Sequence, residues 1–138
     1  MQAPQVPPSD EMPFRTTLRT RWSDEDNQNV LNNAVYMTLF EEARHAYFTA
    51  PGLLAENQFP FLLAQTHVSF MAPGRGGVPI EVELATTHVG RTSFTQAYRV
   101  LGPEGVTWAE AEALLVVVDP LTGRPAPMSE GFRNHVQR

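Results

Sequence analysis

A single stretch of this chain repeats its apolar residues at three- and four-residue steps: Tyr36, Leu39, Phe40, Ala43, Ala46 and Tyr47. That spacing gathers them on one face of a helix running from about Asn33 to Ala50, where Pro51-Gly52 stops it. Most of the remaining chain alternates instead. From Phe14 to Ser23, Phe14, Thr16, Leu18, Thr20 and Trp22 fall on one side and Arg15, Thr17, Arg19 and Arg21 on the other, the pattern of a half-buried strand. Phe59 to Met71 is apolar and rich in β-formers, ending at the turn Ala-Pro-Gly-Arg-Gly-Gly. Val78 to Gly90 and Thr92 to Val100 alternate on either side of a tight turn at Gly90. Trp108 to Asp119 is locally ambiguous: Ala-Glu-Ala-Glu-Ala-Leu-Leu favours helix by propensity, whereas its period and the valines that follow favour strand, which is the reading adopted. The order predicts an α+β domain whose one long helix lies across the apolar face of an antiparallel sheet.

A chain of 138 residues has room for about one domain. Residues 1–13 carry four prolines and little that could pack, so they are expected to form a flexible Pro-rich tail outside a single domain spanning 14–138. Fifteen acidic against ten basic residues give a net charge of −5, the wrong sign for collecting nucleic-acid phosphates. Every basic residue is arginine, which removes Schiff-base chemistry. The chain has no cysteine, so thiol nucleophiles, disulfides and cysteine-based metal sites drop out. The N-terminus is not a secretory signal, and no apolar run approaches the roughly 18 residues of a membrane span. A soluble cytoplasmic protein without membrane or nucleic-acid partners is the expectation.

His45, His67, His88 and His135 show no metal-ligand spacing, so no metal is expected. Gly-x-Ser-x-Gly, Walker and Gly-x-Gly-x-x-Gly motifs are missing too. What remains is the run from Arg21 to Tyr36, in which Asp24 and Asp26 lie just before a helix start. The first turn of a helix presents unpaired N–H donors and partial positive charge, suited to a carbonyl oxygen that becomes anionic during acyl transfer. A carboxylate beside it could activate water or attack the carbonyl itself. The competing reading is that both aspartates only cap the helix and pair with Arg19 or Arg21.

The run Asp-x-Asp-x₅-Asn-Asn-x-x-Tyr, followed by Phe40-Glu41-Glu42-Ala43-Arg44, resembles the signature of hotdog-fold acyl-CoA thioesterases of the 4-hydroxybenzoyl-CoA thioesterase-like group. The likeness extends to Pro73-Gly74, to the hairpin Gly90-Arg91-Thr92-Ser93 and to the closing Val118–Pro125, and so covers nearly everything after Phe14. It implies a hotdog fold, a curved antiparallel sheet wrapped around the central helix, and hydrolysis of an acyl-CoA thioester to a carboxylic acid and CoA. It also implies that Asp26 is the catalytic carboxylate, nucleophile or general base, that the Asn33 amide is the oxyanion donor, and that Tyr36 packs or positions. No cofactor is expected, CoA being part of the substrate. A homodimer or homotetramer with sites between subunits is implied as well.

Other residues are candidates for lesser roles. Glu41 and Glu42 are alternative carboxylates, with Glu41 also able to pair with Arg44 one turn on. Arg75, Arg91 and Arg99 are candidates for the CoA phosphates, Ser93 for the neighbourhood of the pantetheine, and His67 for the cleft wall or a dimer interface. The resemblance departs at Asn29-Val30, where the family commonly has glycine first; asparagine is the best substitute if φ must be positive. That departure supports a rival, a hotdog module that binds acyl thioesters, or only itself, without turnover. A hotdog dehydratase ranks last, because that chemistry needs a histidine where Val30 stands.

Overall fold

The computed structural model describes residues 2–138. Five strands and two helices follow in the order β1 (Phe14–Arg19), α1 (Asn33–Thr49), β2 (Phe61–Phe70), β3 (Pro79–Val89), β4 (Ser93–Leu101), β5 (Thr107–Val117) and α2 (Glu130–Val136). The strands form one antiparallel sheet in the order β1-β3-β4-β5-β2, with β1 and β2 at its edges. The ambiguous segment is indeed strand: β5 pairs on both sides, and two hydrogen-bonded ladders outweigh its helical propensity.

The apolar face of α1 buries Tyr36, Leu39, Phe40, Ala43, Tyr47 and Phe48, and packs with Val82, Leu84, Tyr98, Val100, Ala111 and Leu115 from the strands in one core. This is the helix-across-sheet arrangement of the hotdog fold. Phe48 is fully buried, and its ring stacks on Phe132 of α2 at 4.9 Å. α2 has no counterpart among the elements expected from the sequence. Its signals were short: the Ser129 hydroxyl accepts from the Phe132 N–H, and Phe132 and Val136 are its buried pair at i and i+4.

Two expectations about the N-terminal side need correction. Trp22 does not continue the buried face of β1; the strand stops at Arg19, Trp22 enters a 3-10 turn, and its side chain is 82% exposed. The Pro-rich segment, expected to stay flexible outside the fold, is laid on the outer face of the sheet, where Met12 and Val6 pack with Ala85 and Ala97. Below it four charged residues stand opposite one another on adjacent strands: Arg15, Glu83, Arg99 and Glu110. Glu83 is fully buried and pairs with both arginines, at 3.2 Å from Arg99. Arg99 also reaches Glu110 at 2.7 Å. The tail closes this ladder through the Pro7 carbonyl, which accepts from Arg99 at 2.8 Å, and the Ser9 hydroxyl, which donates to Glu83 at 2.8 Å. Buried charges demand such partners, and only the folded sheet shows that the tail supplies them.

Candidate functional site

Between β1 and α1 the chain makes a compact loop. The Asp26 N–H donates to the Val30 carbonyl at 2.9 Å and the Asn29 N–H to the Asp26 carbonyl at 3.1 Å, closing a turn in which Asn29 adopts φ 61°. Asparagine at the familial glycine position therefore holds the left-handed conformation, which its short polar side chain tolerates better than most. The two aspartates have separate environments. Asp24 is buried and accepts from the Arg21 backbone N–H at 2.8 Å and from the Arg21 guanidinium at 3.0 Å, so the structural role weighed for both belongs to Asp24. Asp26 is half-buried, makes no ion pair among the described residues, and accepts from the Gln28 N–H at 2.7 Å through Oδ1. Neither caps α1, since the N-cap is Asn32, whose side chain accepts from the Ala34 N–H at 3.0 Å.

The loop is stapled to the turn after β2. The Leu31 N–H donates to the Gly74 carbonyl at 2.9 Å, and the Gly76 N–H donates to the Glu25 carboxylate at 2.9 Å. Between loop, helix start and turn lies an open groove of about 390 Å³, walled by Gln28, Val30, Asn33, Tyr36, Phe70 and Met71 among others. Asp26 is not itself a wall but sits within the loop whose Gln28 and Val30 are.

Asn33 opens α1, and among the described residues its N–H has no acceptor; the next two donors, Ala34 and Val35, are both taken up by Asn32. One unspent amide thus stands at the start of a helix whose first residue lines the groove, where the aligned peptide dipoles add positive potential. The Tyr36 hydroxyl lies against Gly74, where even a Cβ would come within 2.6 Å of it, so only glycine fits beside that phenol. Burial pushes the Tyr36 pKa up to about 12, keeping it a neutral donor. The Tyr36 ring meets Phe70 edge-on at 5.2 Å, giving the groove an apolar flank.

Of the other candidate residues, only Arg75 is brought near this groove within one chain. Glu41 and Glu42 are exposed farther along α1, and Glu41 does not pair with Arg44, which is buried beneath it against the Tyr98 ring. Arg99 is spent in the charge ladder rather than free for phosphate. His67 lines a separate hollow with Gln65 and Glu112. Arg91 and Ser93 lie at the opposite end of the sheet, where Ser93 stands across from Val116. Arg133 of α2 holds that hairpin by donating to the Gly90 carbonyl at 3.1 Å. Arg75 is exposed on the turn next to Gly74, beside the groove. Among the described residues no three His, Asp or Glu side chains gather as metal ligands, and no helix is long and apolar enough to cross a membrane.

The same fold recurs in known proteins. The chain is 32% identical over 124 residues to the acyl-CoA thioester hydrolase YbgC of Escherichia coli O6:H1, an alignment covering 86% of this chain and 92% of that one. A thioesterase from Thermus thermophilus, crystallised with coenzyme A and Zn, superposes with a TM-score of 0.81 at 30% identity, covering 93% of this chain and 95% of that one. Slr0204 of Synechocystis, a 1,4-dihydroxy-2-naphthoyl-CoA thioesterase, shares the fold at a TM-score of 0.81 and 19% identity, over 90% of this chain and 95% of that one. Residues 20–136 match the model of the thioesterase-like superfamily, a span holding the loop, the helix start and the turn that together build the groove, and to that superfamily this chain belongs.

Proposed function

We propose that the protein hydrolyses acyl-CoA thioesters to a free carboxylic acid and CoA. The observation that carries this reading is the unspent Asn33 N–H at the start of α1, beside the Tyr36-lined groove and across the loop from Asp26. In the reaction the Asp26 carboxylate takes a proton from water as the water oxygen attacks the thioester carbon, or attacks that carbon itself and forms an anhydride that water then cleaves. The carbonyl oxygen turns anionic and accepts from the Asn33 N–H; as it collapses the C–S bond breaks, and the CoA sulfur takes the proton that Asp26 removed from water or, in the covalent route, one from solvent. Tyr36 holds the acyl group against its ring and remains protonated throughout. Family membership and the 32% identity to an acyl-CoA thioester hydrolase support the substrate class.

The acting unit in this reading is a homodimer, from which a homotetramer can be built, located in the cytoplasm. β2 is a ten-residue edge strand with Leu62, Leu63 and Phe70 exposed, a surface that natural sheets pair or cover. Antiparallel pairing of β2 with its own copy brings the Phe61 end of one strand to the Phe70 end of the other. The partner subunit's Arg91 and the partner subunit's Ser93 then approach the groove, and with Arg75 they become contacts for CoA. The non-catalytic rival drew on Asn29; at φ 61° that residue keeps the turn a glycine would make.

Asp26→Asn and Asp26→Ala, assayed on a panel of acyl-CoAs, are expected to lower kcat by about a hundredfold or more. Unchanged turnover in both would remove Asp26 from the mechanism.

A further inference from the structure

Arg44 stands where an arginine is hardest to keep. It is 4% exposed, its Nε has no hydrogen-bond partner, and none of the ion pairs among the described residues includes it. The Tyr98 ring, 5.5 Å from the guanidinium carbon, is a partial substitute for an anion. A guanidinium does not shed its proton, so the charge stays and asks for a carboxylate. The same side chain lines a hollow of about 330 Å³ on the flank of α1, together with Met37, Glu41, Leu62 and Leu63. Leu62 and Leu63 are 60% and 42% exposed on the edge strand, and Glu41 is exposed. A buried cation, an exposed anion one turn away and an uncovered apolar rim therefore share one cavity, open on the side where β2 has no neighbouring strand.

We infer that a second copy of this chain fills that cavity, and that the partner subunit's Glu41 forms an ion pair with Arg44, twice per dimer. The inference rests on the dimer proposed above and names the contact that holds its two helices in register. Pairing of β2 with its own copy lays the two α1 helices antiparallel on the same side of the joined sheet, so their β2-facing flanks meet about a twofold axis. An axis passing between positions 41 and 44 sets each arginine against a carboxylate. An axis through either position would set like charge on like, which disfavours the neighbouring registers.

Wild type and the exposed-site variants Glu41→Arg and Glu41→Gln are compared by sedimentation across a dilution series, with hydrolysis of a neutral acyl-CoA and of one of equal length ending in a carboxylate measured on the same preparations. Glu41→Arg is expected to raise the dimer dissociation constant tenfold or more, and Glu41→Gln by less. Mixing Glu41→Arg with Arg44→Glu is expected to yield heterodimers on native mass spectrometry in preference to either homodimer. Should Arg44→Glu prove unfolded by circular dichroism, Glu41→Arg decides alone. A dissociation constant unmoved by Glu41→Arg overturns the pair. So does a wild-type preference of tenfold or more for the carboxylate-ended substrate that is lost in Arg44→Met, which would give Arg44 to the acyl group. A monomeric wild type overturns the dimer together with the pair, whereas an inactive wild type whose dimer Glu41→Arg weakens upholds the pair and sinks only the hydrolase reading.

Discussion

At position 29 a side chain with a Cβ is held at φ 61°, in the turn that carries Asp26. Asparagine, with its short polar side chain, adopts this conformation more readily than most residues, whereas an aliphatic residue there costs about 1 kcal/mol or more. Asn29→Gly is thus expected to leave stability within a few tenths of a kcal/mol and Asn29→Ala to lower it by about 1 kcal/mol in urea unfolding. Tyr36 yields a second residue-scale prediction. Its folded pKa of about 12 lies above the ordinary tyrosine value, so folding favours the neutral phenol. That contribution is complete below about pH 10, the ordinary value, and is lost as pH rises toward about 12. Stability curves of wild type and Tyr36→Phe measured from pH 8 to 12 should diverge only in that window, with wild type falling more steeply. By spacing alone the two aspartates are equivalent and only the family resemblance singles out Asp26, whereas geometry gives each its own surroundings: Arg21 pairs with Asp24 three residues away, and Asp26 accepts from the Gln28 N–H instead.

Among the elements, α1 and α2 differ in how strongly they announce themselves. α1 has five turns of apolar repeat and a side-chain cap, and its observed bounds, Asn33–Thr49, match the expected helix to a residue. α2 has seven residues, too few to persist on its own, and exists because Phe132 stacks on Phe48 and Val136 is buried. Its stability should accordingly lean on its cap. Ser129→Ala is expected to cost about 1 kcal/mol and to raise hydrogen exchange in residues 130–136 while leaving β3 to β5 protected. β5 shows the opposite competition, a segment with helical propensity held extended by β4 on one side and β2 on the other.

For the whole molecule, the outer face of the sheet joins a small apolar cluster under the tail to a ladder of charges. Arg15, Glu83, Arg99 and Glu110 alternate in sign across four strands, and the tail bonds to the middle two, Glu83 and Arg99. Removing the central anion takes from the nearly buried Arg99 one of its two carboxylates, leaving it Glu110, so Glu83→Ala is expected to lower unfolding stability by about 2 kcal/mol in guanidinium titration.

The alternations, the helix repeat and the Asp-x-Asp-x₅-Asn-Asn-x-x-Tyr run depend on near neighbours along the chain, and for that reason the strands, α1, the sheet-and-helix class and the position of the groove loop could be read from the letters alone. What needed the tertiary structure was every pairing between distant segments. The Pro-rich tail reads as loose because its partners, Glu83 and Arg99, lie more than seventy residues away, and Arg44 reads as a partner for Glu41 one turn away because nothing local records its burial. Burial and charge pairing are properties of surfaces brought together by folding, and a side chain's local sequence carries no measure of what will stand opposite it.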